Sequence, residues 1–203
     1  MRPDSLTGQL HRLCKELAEL YLGKLGQPQA AVPYLERAAE AAPEDAQVLE
    51  PLADAYFAAG RIDQATPLSE RLLGALKGKR GKDVARLQFR LGSIKQKRGD
   101  AAGALAAFEE AYRLDATHVG SMAGLGEIYF GQGEWEKARR VYRSLLLQNL
   151  EAGSGVSKAD VYLKLGLIHA KLGEGPKARN MYERGLELEP THAGIKQALA
   201  ELG

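Results

Sequence analysis

Several residue types and patterns that mark secreted, metal-binding or membrane proteins are scarce in this sequence. Its 203 residues include one cysteine, Cys14, which excludes an internal disulfide and a cysteine-based zinc cluster. No stretch approaches the roughly 20 apolar residues that a membrane-spanning helix needs. The N-terminal segment is interrupted by Thr7, Gly8 and His11 and so lacks the apolar core of a signal peptide. We therefore expect a reducing, cytoplasmic location.

Aromatic residues make up only 6% of the chain, and β-branched residues are few, which disfavours β-sheet. Alanine, leucine and glycine dominate, and alanine and leucine are strong helix formers. With 45% hydrophobic and 27% charged residues, the chain is able to bury a core and is not disordered. The composition predicts an all-helical protein, and its alanine-, glycine- and arginine-rich usage suggests a bacterial source.

Five glycines recur along the chain: Gly26, Gly60, Gly99, Gly133 and Gly173. They are 34, 39, 34 and 40 residues apart, and an alanine follows each of them by five residues. A leucine precedes each of the last four by eight residues. Within a unit, apolar or small residues recur at i, i+3, i+4 and i+7, which is one face of an α-helix. Each unit is predicted to be two helices joined by a glycine turn, and such units must stack to cover their apolar faces.

This pattern resembles the tetratricopeptide repeat, a helix–turn–helix unit of about 34 residues. The match is clearest in Gly-Leu-Gly-Glu-Ile-Tyr (124–129) followed by Gly-Glu-Trp-Glu-Lys-Ala (133–138). The resemblance implies an all-α, right-handed superhelical solenoid that forms a single domain over residues 1–203. Its repeats are expected at about 11–45, 46–79, 85–118, 119–152 and 159–192, followed by a capping helix at 193–203.

Small departures from the repeat predict local features. The first repeat has an extra residue at its turn, within residues 22–26. The two longer glycine spacings place insertions near 78–82 and at 153–157, and both are glycine-rich and predicted to be loops. Ser157 and Asp160 together indicate the start of the next helix.

Candidate catalytic groups are few, and the repeat explains them. His118 and His192 occupy the same repeat position, and His169 falls at a packing position. Residues 74–80 lack the spacing and the Ser/Thr of a phosphate-binding loop. We therefore predict that the protein is not an enzyme, has no catalytic or metal-binding residues and needs no cofactor.

In proteins of this family the first helix of every repeat lines a concave groove, and the resemblance implies which side chains face it. The expected partner-binding residues are Lys15, Glu50, Asp54, Phe57, Arg86, Phe89, Arg90, Lys97, Glu127 and Phe130. The three phenylalanines come from successive repeats, and exposed aromatics at the centre of a groove are typical interface anchors. The alternative is that these rings pack between repeats.

Positive charge is concentrated in one segment, Lys77–Arg98, which we call the basic segment. It holds nine Lys/Arg residues against one acid, Asp83, and so carries +8, whereas the whole chain carries +2. Arg86, Arg90 and Lys97 fall on one helical face, with acids expected beside them. We therefore predict a scaffold or adaptor, monomeric by default, that binds a partly acidic peptide or protein surface with apolar anchors. A solvated run of charge is the alternative interpretation of this segment.

Binding of RNA or another polyanion through the basic segment is the alternative function. The near-neutral net charge and the neighbouring acids argue against nucleic acid. A third possibility is that the repeats form one arm of a larger enzyme or sensor. Some family members hold C-terminal carboxylates in a clamp that includes asparagines. We do not expect such a clamp, because Glu19 and Pro51 stand at the asparagine positions.

Overall fold

The structure, a computed structural model, describes residues 5–150 and 155–203. This described part holds eleven α-helices, one π-helical segment and no β-strand. The helices group into two units, one ending at Arg98 and one beginning at Gly99. The prediction of an all-α protein built from helix–turn–helix units is confirmed.

The described part of the N-terminal unit contains five α-helices, and each of the first four packs against the next one in the chain. They are α1 (Leu6–Glu19), α2 (Pro28–Ala41), α3 (Ala46–Ala58), α4 (Ile62–Ala75) and α5 (Lys82–Lys97). Leu35, Val48 and Leu52 are buried together where α1, α2 and α3 meet. The insertion predicted near residues 78–82 forms the connection between α4 and α5, as expected.

A π-helical segment, Leu20–Lys24, continues directly from α1. The backbone N–H of Leu25 donates to the carbonyl of Leu20, five residues earlier, at 3.1 Å. A π-bulge holds one residue more per turn than an α-helix. The segment therefore accommodates the extra residue that the sequence places at the turn of the first repeat.

The C-terminal unit contains six α-helices. They are α6 (Ala101–Leu114), α7 (Val119–Gly131), α8 (Trp135–Leu146), α9 (Lys158–Lys171), α10 (Gly175–Leu188) and α11 (Ala193–Glu201). Ser157 caps α9 as predicted, because its hydroxyl accepts the N–H of Asp160 at 3.0 Å. The loop predicted at 153–157 lies partly outside the described residues.

The helix predicted to cap the last repeat is confirmed as α11. It buries Ile195 and Ala198 in a cluster with Ala159, Ala178 and Tyr182 of α9 and α10. The opposite side of α11, which includes Lys196 and Gln197, is exposed. An amphipathic helix of this kind closes an apolar face and presents a polar one, which is what the end of a repeat array requires.

The residues that mark the repeat lie where the backbone turns or where helices approach closely. The five aligned glycines are left-handed, with φ between 60° at Gly26 and 79° at Gly99, a conformation that other L-residues adopt at a cost. The five alanines that follow them are completely buried: Ala31, Ala65, Ala104, Ala138 and Ala178. Gly126 lies against Tyr142, and a Cβ atom there would be only 2.8 Å from the ring. The residues of the repeat pattern are thus explained by turns and close packing, and they do not indicate a catalytic function.

Candidate functional site

Four of the predicted binding residues form two ion pairs between α3 and α5. Glu50 and Asp54 are one turn apart on α3, and Arg86 and Arg90 are one turn apart on α5. Arg86 donates to Glu50, and Arg90 donates to Asp54. The acids that we expected beside the basic face are therefore its direct partners.

Arg90 of the predicted site is buried. Its side chain is only 3% exposed, whereas that of Asp54 is 51% exposed. Nη1 of Arg90 has no hydrogen-bond partner among the described residues. A guanidinium removed from water needs a carboxylate partner, and Asp54 supplies one. Arg90 is therefore held within this face by its bond to Asp54, and its contact with a partner stays a prediction.

Lys97 and Phe57 form a third contact between α5 and α3. The ammonium of Lys97 lies 4.9 Å from the centroid of the Phe57 ring, within the range of a cation–π interaction. Phe57 is half-buried and also packs against Leu91 and Ile94. Phe89 is half-buried as well. Phe57 thus packs between repeats and is also reached by a charged side chain.

Lys15 of α1 contacts the start of α3. Its ammonium donates to Asp45 at 3.2 Å and to Gln47 at 2.9 Å. Asp45 also accepts the backbone N–H of Gln47, which caps α3, and lies 3.2 Å from Nε2 of His11. Burial raises the pKa of Asp45, but the hydrogen bonds from Lys15 and Gln47 outweigh it, so the pKa is lowered. Asp45, which joins α1 to α3, is absent from the binding residues predicted from the sequence.

In the C-terminal unit, Glu127 and Phe130 of α7 both contact Lys164 of α9. The ammonium of Lys164 donates to Glu127 at 2.8 Å and lies 4.7 Å from the Phe130 centroid. Trp135 packs edge-on against Phe130, with the ring centroids 5.4 Å apart. The hydroxyl of Tyr142 donates to Glu127 at 2.7 Å, and burial together with this bond raises the pKa of Tyr142.

Lys164 and Trp135 are absent from the binding residues predicted from the sequence, although the sequence holds a signal for Lys164. Glu50 and Arg86 are 36 residues apart, as are Asp54 and Arg90, and Glu127 and Lys164 are 37 apart. Each of these pairs joins an acid on one first helix to a cation one repeat later. A search for opposite charges at this offset would have found Lys164.

The basic segment is only partly neutralised. Besides Arg86 and Arg90, Arg98 has an acidic partner, Asp63, at 2.8 Å. The described residues offer no ion-pair partner to the other six cations of the segment: Lys77, Lys79, Arg80, Lys82, Lys95 and Lys97. The free charge thus lies mostly in the connection before α5 and at its first residue.

The histidines serve structural roles. Nδ1 of His118 and of His192 accepts the backbone N–H three residues later, at 3.1 and 3.2 Å, and so caps α7 and α11. His169 is buried and bonds Glu174. Within residues 5–150 and 155–203 no three or more His, Cys, Asp or Glu side chains are grouped to hold a metal ion. No helix in the described part is long and apolar enough to cross a membrane.

Comparison with protein families gives matches along most of the chain. One model described as "Tetratricopeptide repeat" matches residues 24–90 and 96–154. A second model with the same description matches residues 159–202. No curated protein sequence matches the chain.

Several solved structures are similar in fold. YrrB, described as "a TPR protein with an unusual peptide-binding site", is 18% identical, with 91% of this chain and 89% of that chain covered and a TM-score of 0.66. MamA residues 41 to the end, from Desulfovibrio magneticus RS-1, is 18% identical over 92% of this chain and 99% of that chain, with a TM-score of 0.70. A tetratricopeptide repeat protein from Parabacteroides merdae is 16% identical over 96% of this chain and 73% of that chain, with a TM-score of 0.69. At these identities the similarity shows the fold.

Proposed function

Because the chain belongs to the tetratricopeptide repeat family, we propose that it is a protein-interaction scaffold whose first helices bind a peptide or protein surface. Stacked helix pairs present extended faces that suit partners of this kind. Proteins with this fold are in general scaffolds rather than enzymes, and YrrB, a structural neighbour, is described as having a peptide-binding site.

The observation that carries the proposal is the face shared by α3 and α5, which we call the strip: Glu50, Asp54, Phe57, Arg86 and Lys97. It combines a half-buried aromatic ring with two acids and two cations. An aromatic side chain ringed by polar groups is the usual composition of an interface anchor. The strip therefore suits a partner that has an apolar side chain and charged groups beside it.

A partner can replace the existing contacts of the strip with little loss of free energy. Arg86 and Glu50 are 47% and 28% exposed, and exposed ion pairs contribute only about 0–1 kcal/mol each. A carboxylate of the partner can therefore replace Glu50 on Arg86, while an apolar side chain takes the place of Lys97 on the Phe57 ring. The cations at Lys82 and Lys95, which lack described acidic partners, add attraction for a partly acidic ligand.

The test is a peptide selection on the purified full chain, followed by affinity measurements. Peptides from a phage-displayed library are selected on the wild type, and their binding is measured by fluorescence anisotropy. We expect Arg86→Glu and Phe57→Ala each to weaken the selected peptides by about tenfold or more. The matched control is Arg37→Glu on α2, because Arg37 is exposed and has no described ion-pair partner; it should change affinity by less than about twofold.

Circular dichroism should show that all three variants remain helical. If the selected peptides bind Arg86→Glu and Arg37→Glu equally well, the partner does not use the strip. If no peptide is enriched on the wild type, the proposal that the first helices bind extended peptides fails.

RNA is a second candidate, favoured by the six cations of the basic segment that have no described ion-pair partner. Single-stranded RNA releases counterions on binding, so the logarithm of its affinity falls with the logarithm of salt by about 0.7 for each phosphate contact. A salt titration of oligouridylate binding, with Lys79→Glu and Lys82→Glu variants, tests this. A steep slope that both variants reduce supports RNA, and the absence of saturable binding removes it.

A further inference from the structure

The C-terminal unit has a pocket of about 500 Å³ that involves the second helices α8 and α10 and residues of α9 between them. Its apolar surface comes from Leu146 of α8, Tyr162 and Leu165 of α9, and Met181 of α10. A volume of this size can hold a few side chains of a partner. The predicted binding residues all lie on first helices, so the pocket is separate from them.

Four cations stand around this apolar surface. Arg139 and Arg143 come from α8, and Lys177 and Arg184 come from α10. Arg139 bonds Glu136 at 2.6 Å, and Lys177 bonds a carboxylate that precedes its own helix. Arg143 and Arg184 are exposed, and the described residues offer neither of them an ion-pair partner.

Glu174 neutralises one end of the pocket. Its carboxylate accepts from Lys177 at 2.7 Å and from His169, and it lies 3.6 Å from Arg139. The bonds from Lys177 and His169 lower the pKa of Glu174 to about 2, so it stays charged at neutral pH. One carboxylate thus interacts with three basic groups, and the end of the pocket near Arg143 and Arg184 keeps its positive charge.

This positive charge is confined to two of the second helices. The helix α8 has four Lys/Arg residues and one acid, and α10 has three Lys/Arg residues and two acids, which gives +3 and +1. The helices α2, α4 and α6 each have one Lys/Arg residue and two acids, which gives −1 for each. The basic character is therefore a property of the pocket helices and not of second helices in general.

We propose that this pocket binds an acidic segment of a partner protein, which inserts an apolar side chain between Arg143 and Arg184. The cationic rim attracts carboxylates, and the apolar surface formed by Leu146, Leu165 and Met181 favours burial of a hydrocarbon side chain. A nucleic acid backbone would satisfy the rim but would leave the aliphatic surface uncovered. The observations therefore favour an acidic protein segment, and the site does not depend on the strip.

The test uses the full chain and a fluorescein-labelled synthetic peptide with a central leucine pair flanked on both sides by glutamates. The test variant is Arg143→Glu with Arg184→Glu. The control variant is Lys158→Glu with Lys196→Glu, which makes the same change in net charge at exposed positions of the same unit that do not line the pocket. All three proteins are titrated with the peptide by fluorescence anisotropy at physiological salt.

We expect saturable binding by the wild type, a loss of about tenfold or more in the Arg143→Glu, Arg184→Glu variant, and a change below about twofold in the control. A peptide with serines in place of the leucines should bind the wild type about tenfold more weakly, because burial of two leucine side chains contributes at least that much.

Four results would overturn the proposal. The first is the absence of saturable binding by the wild type, and the second is an equal loss in the test and control variants, which would reflect net charge alone. The third is displacement of the peptide by oligouridylate, with oligouridylate binding abolished in the same test variant, which would assign the pocket to nucleic acid. Loss of peptide binding in Arg86→Glu, with the pocket variant unaffected, would likewise transfer the binding to the strip.

Discussion

The strip on α3 and α5 and the pocket on α8 and α10 both carry several cations. They differ in whether these cations form ion pairs with acids on a neighbouring helix. Arg86 of the strip and its buried neighbour Arg90 each have a carboxylate partner on the neighbouring first helix. In the pocket, neither Arg143 nor Arg184 has an ion-pair partner among the described residues. Charge counted along the sequence points first to the basic segment, which contains Arg86 and Arg90 and carries +8, whereas the two pocket helices together carry +4. The charge that a partner can use is therefore decided by pairing between helices.

The largest expected effect comes from removing the partner of the buried cation. Asp54→Ala leaves the guanidinium of Arg90, 3% exposed, without a carboxylate, and an unsatisfied buried group of this kind costs about 1–3 kcal/mol. Urea denaturation followed by circular dichroism measures the loss. Glu50→Ala is the control, because its partner Arg86 is 47% exposed and the loss should stay below about 1 kcal/mol.

A double variant sharpens this prediction. Asp54→Ala with Arg90→Met removes both charges, and an apolar side chain of similar length can fill the buried site. We expect most of the stability lost in Asp54→Ala to return, because replacing a buried ion pair by apolar groups is often close to neutral. If Asp54→Ala and Glu50→Ala are equally stable, Arg90 is more hydrated in solution than its burial indicates.

A smaller effect with a pH signature is expected at Glu174. Its pKa is lowered from 4.5 to about 2 by bonds from Lys177 and His169. A lowered carboxyl pKa stabilises the folded state above the unfolded value, and this contribution is lost as the pH falls from about 4.5 towards 2. Wild type should therefore melt at a higher temperature than Glu174→Gln at pH 5 and above, and the difference should shrink towards pH 2.

Thermal unfolding followed by circular dichroism across this pH range measures the difference. Glu183→Gln is the matched control, since Glu183 is exposed on α10, which begins directly after Glu174, and has no described ion-pair partner. The difference in melting temperature between Glu183→Gln and the wild type should not shrink in this way at low pH. A Glu174→Gln difference that is constant from pH 6 to about pH 2 would contradict the role of this carboxylate.

The two lysine–phenylalanine contacts allow a direct comparison of the units. Lys97→Ala removes only the contact with the Phe57 ring and should lower the free energy of unfolding by about 0.5 kcal/mol. Lys164→Ala removes a ring contact and the bond to Glu127 and should cost about 1 kcal/mol. Urea denaturation of the two variants measures both losses. The reverse order would show that the Lys97 contact contributes more to the fold than its geometry indicates.

The smallest effect is expected in the pocket. Arg143→Ala and Arg184→Ala should each change the free energy of unfolding by less than about 0.5 kcal/mol, because exposed side chains without partners contribute little. Urea denaturation measures this as well. A loss above about 1 kcal/mol would mean that these arginines support the fold, which would weaken the case for a ligand between them.

The repeat could be read from the sequence because its marks are local. The left-handed turn at Gly133 and the close approach at Gly126 each require a particular small residue at a fixed position. The N-terminal cap at Ser157 likewise depends on residues only three positions apart. The glycine turn recurs in every unit, so the spacing along the chain was enough to predict the helices, the turns and the capping helix.

The contacts within the candidate sites could be predicted only in part. Helical periodicity placed Arg86 and Arg90 on one face, but it did not show that Asp54 would pair with Arg90 or that Arg90 would be buried. The roles of Asp45 and Lys164 were missed for the same reason, because their partners lie on helices one repeat away. The pocket combines side chains of three helices, and no single helical period reveals such a combination.

The measurement that tests the comparison most directly is the rate at which individual arginines are modified. The folded full chain is treated with phenylglyoxal, and the modified positions are quantified over time by peptide mass spectrometry. If pairing between helices decides which charge is accessible, then among these four arginines Arg143 and Arg184 will react fastest, Arg86 more slowly, and Arg90 only when the protein unfolds. Reaction of Arg90 in the folded chain as fast as that of Arg143 would contradict the account.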